Sequence, residues 1–208
     1  MMFERFTHDA RRVVTRSCAH SERTGDRTVT EEHLLLALLD QQGTRTAFAF
    51  AALGVTDRRA SVEDALRTAR RRGGLSPADV RALAGLGIDV DEVVAGAEAA
   101  HGRGALDPGV SGRFRAARRR WTHQPFSPGA KATLEKSLRI AVGRGDRAIG
   151  GEHVLLALTA GPGVVAEVLA DHGATYASLE RVMFARPDGP GPGPGDGGGG
   201  TAAADGPG

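Results

Sequence analysis

Twice in this chain an acid and a histidine stand side by side at the mouth of an apolar run. Glu32-His33 precedes Leu34-Leu35-Leu36-Ala37-Leu38, and Glu152-His153 precedes Val154-Leu155-Leu156-Ala157-Leu158. A carboxylate beside an imidazole suggests acid–base catalysis first. On a helix, however, adjacent side chains project about 100° apart, so neither pair forms a dyad on its own. The 7 histidines show no metal-ligand spacing with the single cysteine, Cys18, and no metal site or cofactor is expected. Two roles remain for the carboxylates. In a first helical turn they complement the macrodipole, by about 0.3–1 kcal/mol each, or they pair with a cationic group of a ligand through charge-assisted hydrogen bonds. The histidines read as packed residues that tie the apolar helix to its neighbour.

The two motifs lie 120 residues apart (152 − 32), and the offset holds beyond them. Phe6 falls on Phe126, Ala10 on Ala130, Ser17 on Ser137, and Gly25-Asp26-Arg27 on Gly145-Asp146-Arg147, without a gap. Two similar halves are therefore expected, and any site at the motif should occur twice.

The elements that position the motifs read as helices throughout. Thr7 is a plausible N-cap, followed by Ala10, Val13, Val14, Ser17 and Cys18 at helical spacing with arginines on the other face. Gly25-Asp26 breaks this helix, and Thr30 opens the next, which is apolar nearly all round and so belongs at the centre of its half. Short helices follow over 47–53 and 61–70, stopped and separated by Gly54. Ser76-Pro77 opens a helical insert, in which Leu86-Gly87-Ile88-Asp89 echoes Leu53-Gly54-Val55-Thr56 as a partial copy of a helix corner. A loop is expected over 102–112. Ser127 then caps the first helix of the second half, with Pro128 at its first position and a buried stripe from Ala130 to Ala141, and further helices follow at 154–158, 164–169 and 178–184. The expected fold class is all-α: two pseudo-symmetric four-helix repeats with a helical insert between them. The expected units are repeat one at 1–70, the insert and arginine-rich linker at 71–124, repeat two at 125–186, and a tail at 187–208. That tail collapses to Gly, Pro, Ala and Asp and is expected to be disordered.

With 40% hydrophobic but only 4% aromatic residues, the 208-residue chain should have an aliphatic core. Lys131 and Lys136 are the only lysines, and 27 basic against 25 acidic residues leave a net charge of +2. One cysteine excludes an internal disulfide and fits a reducing compartment. The N-terminus carries no basic stretch followed by an apolar run, and no apolar run approaches the roughly 20 residues of a membrane span. A cytoplasmic protein without membrane contact is the expectation.

Phe3-Glu4-Arg5-Phe6-Thr7, Ala10-Arg11-Arg12-Val13-Val14 and Glu32-His33-Leu34-Leu35-Leu36-Ala37-Leu38-Leu39 resemble the N-terminal repeat domain of Clp ATPases. So do Pro125-Phe126-Ser127-Pro128-Gly129-Ala130-Lys131 and Gly150-Gly151-Glu152-His153-Val154-Leu155-Leu156-Ala157-Leu158. The resemblance covers 2–66 and 125–184. It implies a non-catalytic protein- and peptide-binding module that recruits substrates or adaptors to a Clp unfoldase, acting as adaptor, regulator or decoy. The implied partners are a Clp ATPase, its adaptors or its substrate proteins, including arginine-phosphorylated ones. For phosphoarginine, the resemblance offers Glu32 and Glu152 as the guanidinium-binding carboxylates. The helix starts at Thr7 and Ser127 would take the phosphoryl group. The family pattern Gly-Thr-Glu-His is altered to Thr30-Glu31-Glu32-His33 and Gly150-Gly151-Glu152-His153, which makes Glu152 the better candidate. Phe3 and Phe126 fall where the family places a small hydrophobic contact surface, with ordinary core packing the alternative for Phe126. A Walker A loop needs Gly-Lys-[Ser/Thr], and here Lys131 follows Ala130 and Lys136 follows Glu135. The chain is not itself the motor, and no enzymatic activity is expected.

The alternative from another class is an arginine-rich nucleic-acid-binding or regulatory protein. Arg70-Arg71-Arg72 and the run over 113–120, with Phe114 and Trp121 interleaved, have residue types that grip phosphates and stack bases. A solvated linker helix explains the same residues, and nucleic acid is not the expected partner.

Overall fold

The computed structural model describes residues 2–107 and 124–184. A short 3-10 turn, Met2–Arg5, leads into α1 (His8–Thr24), α2 (Glu31–Leu39), α3 (Arg45–Ala52) and α4 (Arg59–Arg71). The insert contributes α5 (Pro77–Gly85) and α6 (Val90–His101). The second half repeats the first as α7 (Pro128–Gly143), α8 (Gly151–Thr159), α9 (Val164–Asp171) and α10 (Tyr176–Phe184). Among the described residues the fold is all-helical, as expected, and the only extended pairings are two isolated bridges. The expected tail and the arginine run over 113–120 lie outside the described residues.

Local chemistry sets the boundaries. Thr7 and Ser127 accept the amide hydrogens of Ala10 and Ala130, and Ser76 caps α5 in the same way. Gly25 ends α1 at φ 74°, where a Cβ would be strained. α3, α4, α8 and α10 begin two or three residues earlier than the pattern suggested. The start of α3 is pulled forward by the Thr44 side chain, which caps Ala47, and α4 starts at Arg59, an arginine the apolar periodicity does not register.

The central pair, α2 and α8, is buried nearly all round. Leu34, Leu35, Leu38, Leu155 and Leu156 are inaccessible to solvent, each worth about 1.5–3 kcal/mol of burial. α1 packs on α2, α7 on α8, and the halves meet through α2 against α8, α3 against α10 and α4 against α9. They are also laced together at the chain entries. Phe6 bridges Ile149 and Val29 bridges Phe126, and since 126 − 6 and 149 − 29 both equal 120, the two bridges are related by the internal dyad. Thr7 N–H donates to Ile149 O at 2.9 Å, and Ser127 N–H to Val29 O at 2.8 Å. Each half thus contributes its leading strand to the other.

The insert does contain the expected corner copy. Gly87 (φ 79°) donates to Ala84 O and Ile88 to Leu83 O, as Gly54 (φ 68°) does to Ala51 O and Val55 to Phe50 O. Val55 is fully buried whereas Ile88 is 42% exposed, because the insert lacks the two preceding helices that would cover it. Ion pairs hold it instead: Arg71 with Glu98, and Arg72 with Asp91 at 2.8 Å.

Candidate functional site: a groove at the junction of the halves

The histidines of the repeated motif are structural. His33 is fully buried and sits three residues past the helix cap. Its Nδ1 accepts the N–H of Thr30 at 3.0 Å. A main-chain amide only donates, so Nδ1 is unprotonated and Nε2 carries the hydrogen, directed at Asp26 Oδ2, 3.0 Å away. His153 repeats the arrangement, with Nδ1 accepting from Gly150 N–H at 3.0 Å and Nε2 2.9 Å from Asp146 Oδ2. Each imidazole does the work of the acid in a capping box and straps its helix to the preceding turn. Neither is available for catalysis.

Asp26 is the residue on which the first copy converges. It is buried and also receives Thr24 Oγ1 and Arg70 Nη2, each at 2.6 Å. Burial pushes its carboxyl up, but the hydrogen bonds from His33, Thr24 and Arg70 outweigh burial and hold it well below the usual carboxylate range. Asp146, its counterpart, is 43% exposed and has Arg144 only at 3.7 Å. Sequence reading quoted the Gly-Asp-Arg repeat without assigning the aspartates. The seven-residue spacing from Asp to His in both copies was the signal that could have found them.

The glutamates diverge sharply. Glu32 lines a groove of about 560 Å³ bounded by the start of α2, by Leu66 and Arg70 of α4, by one face of α7, and by the α8–α9 corner. Its Oε2 lies 3.3 Å from Arg70 Nε, so an internal guanidinium already sits between Glu32 and Asp26. Glu152 lies outside this groove. It curls back toward its own helix entry, so that a Cβ on Gly150 would lie 2.2 Å from its Oε2. Its ionic neighbour Arg45, 3.9 Å away and 53% exposed, also stacks over Phe184. With Thr30 in place of Gly150 the first copy has no such space, and Glu32 turns outward to Arg70.

Ser127 and Thr7 cross over with the chain entries. Ser127 faces the first copy, where its Oγ donates to Glu31 Oε2 at 3.2 Å. Thr7, bonded to Ile149, stands beside the entry of the second. Each candidate site is therefore built from both halves. In the first, the start of α7 is taken up by Glu31, whose carboxylate lies where a Cβ on Gly129 would be, 1.8 Å from Oε1. Gly129→Ala is expected to push Glu31 aside. The helix-propensity gain of about 1 kcal/mol offsets a lost hydrogen bond of similar size, so a urea melt should show stability within about 1 kcal/mol of the parent.

Phe126 is half-buried against the core and serves the bridge to Val29, which is a packing role. Phe3 lies in the opening 3-10 turn, and its side chain is outside the described residues. Arg70, Arg71 and Arg72 each have a carboxylate partner, so they present no free row of guanidinium groups.

An all-helical tandem of two interlocked halves with a groove at their junction is a repeat-type fold. The family described as "Clp repeat (R) N-terminal domain" matches residues 5–82, 75–172 and 125–185, and the chain belongs to it. The ClpA homologue "ATP-dependent Clp protease ATP-binding subunit ClpA homolog, chloroplastic" of Brassica napus is 29% identical over 174 residues, which are 83% of this chain and 15% of that protein. "Chaperone protein ClpC1, chloroplastic" of Arabidopsis thaliana is likewise 29% identical over 174 residues, 83% of this chain and 14% of its own length. The chain thus spans about one-seventh of the length of these relatives. Among solved structures, the N-terminal domain of the Clp-associated chaperone ClpD from Arabidopsis thaliana aligns with a TM-score of 0.49 and 18% identity, covering 88% of this chain and 94% of that one.

Proposed function

We propose that this chain is a non-catalytic binding module for proteins or peptides, acting as adaptor, regulator or decoy in Clp-dependent proteolysis. The observation that carries this reading is the groove at the junction of the halves, with an apolar floor and charged walls contributed by both repeats. Family membership supplies the context: substrate or adaptor recruitment to a Clp unfoldase. A tagged copy is expected to retain a Clp ATPase, an adaptor or a client protein. Ala132→Trp, an exposed position on the α7 wall, should fill the groove and release it. Retention unchanged by that substitution would sink the groove as the binding surface.

Phosphoarginine belongs in this reading at the second copy. There Glu152 has only long contacts among the described residues, to Arg45 and to His153 at 3.9 Å, and stands at the entry shared with Thr7, whereas in the first copy Arg70 and Glu31 fill the corresponding positions. Titration with phosphoarginine should show binding that Glu152→Ala abolishes and Glu32→Ala leaves intact. No binding at millimolar ligand would remove the assignment.

A further inference from the structure

The groove's formal charges cancel, Asp26, Glu31 and Glu32 against Arg27, Arg70 and Lys136, but they are unevenly engaged. Of its three carboxylates, Asp26 is engaged by His33, Thr24 and Arg70, Glu32 by Arg70, and Glu31 by Ser127. Lys136 is half-buried in the groove wall and has no ion-pair or hydrogen-bond partner among the described residues. Its Nζ lies against the α8–α9 corner, 3.0 Å from where a Cβ on Gly161 would stand. Exposed Arg27, also in the lining, has no ionic partner there either. The carboxylates gather at the α2 end of the groove, while Lys136 stands at the α8–α9 end without an anionic partner among the described residues.

The other copy shows what is missing. Lys136 corresponds to Arg16 (136 − 120), whose Nη1 donates to the main-chain oxygen of Asp40 at 2.8 Å. The Asp40 carboxylate itself is taken by His20 and Arg59. The counterpart of Asp40 is Ala160. The following loop is one residue shorter in the second half, 160–163 against 40–44, which sets Gly163 where Thr44 caps α3. α9 accordingly has no side-chain cap. Carboxylate and hydroxyl are both gone from this corner, while the cation stays in the wall of the groove.

We propose that the groove takes an acidic, apolar peptide segment of a partner protein, its carboxylate held by Lys136 and its flanking apolar side chain laid on the floor formed by Leu66, Leu158 and Val164. This rests on the groove being the binding surface and names the chemistry of its ligand. A free anion alone would gain only the ammonium, and a purely apolar segment would leave Lys136 covered without a partner. The combination uses both surfaces.

The test uses short fluorescent peptides carrying Leu-Asp-Leu, Leu-Asn-Leu or Leu-Lys-Leu at their centre, titrated by fluorescence anisotropy. The Asp peptide should bind about 10-fold more tightly than the Asn peptide, and the Lys peptide least, with the advantage shrinking as salt rises. Lys136→Gln should erase the Asp-over-Asn preference while leaving the melting temperature near that of the parent, since the lysine supports no described contact. Equal affinities for the three peptides, or a preference that survives Lys136→Gln, would overturn the proposal. The two readings separate through Ala132→Trp. If it abolishes undiscriminating peptide binding, the groove stands and the acidic ligand falls. If it changes nothing, or if no peptide binds at all, the groove falls with it.

Discussion

Replacing His33 with alanine is expected to remove about 3–4 kcal/mol of stability, a large part of what a domain of this size possesses. Three losses combine. The Thr30 amide gives up its acceptor at the start of α2, Asp26 gives up one of its donors while remaining buried, and an imidazole-sized void opens in the core. His153→Ala removes the matching contacts in the second half but should cost less, about 2 kcal/mol, because water reaches the 43%-exposed Asp146 and replaces the lost donor. Urea denaturation followed by circular dichroism measures both. Equal losses in the two variants would show that burial of the aspartate is not what separates the copies.

That inequality also marks how far the sequence could be read. The duplication set the architecture in advance, since an offset of 120 residues, gap-free through the first two helices, lays α1 on α7 and α2 on α8. The same offset made the sites look equivalent, and they are not. What separates them is carried by residues outside the repeated motif. Arg70 comes from the last turn of α4, beyond the reach of the repeat, and it takes Glu32 and Asp26 together. Gly150, without the side chain that Thr30 carries, lets Glu152 fold back where Glu32 must swing out. The crossing of the leading strands was equally invisible, because nothing in a helix-period pattern says that Phe6 pairs with Ile149 of the other half. A repeat in sequence reports shared helices. It does not report which copy's side chains meet across the dyad, and the groove is made of those meetings.

Asp26→Asn should be nearly as damaging as His33→Ala, and its effect should depend on pH in a definite direction. The amide keeps the volume but not the charge, leaving Arg70 half-buried with Glu32 and Asp107 as its remaining anions and reversing one of the donor–acceptor pairs around the site. At pH 7 a loss of about 3 kcal/mol is expected, the scale of breaking a partly buried ion pair. The folded carboxyl lies below its ordinary value, so its contribution is complete above the unfolded value of about 3.9. It is lost as pH falls toward the folded one. The stability gap between parent and variant should therefore be constant from neutral pH to about pH 5 and narrow below about pH 4. A gap that held its full size at pH 3 would mean that the aspartate acts by shape rather than by charge. Because Asp26 and His33 share one hydrogen bond, the double variant should lose less than the sum of the two single losses. An additive result would separate the histidine's cap from the aspartate's ion pair, and would dissolve the strap that holds α2, with Glu31 and Glu32 on its first turn, at the edge of the groove.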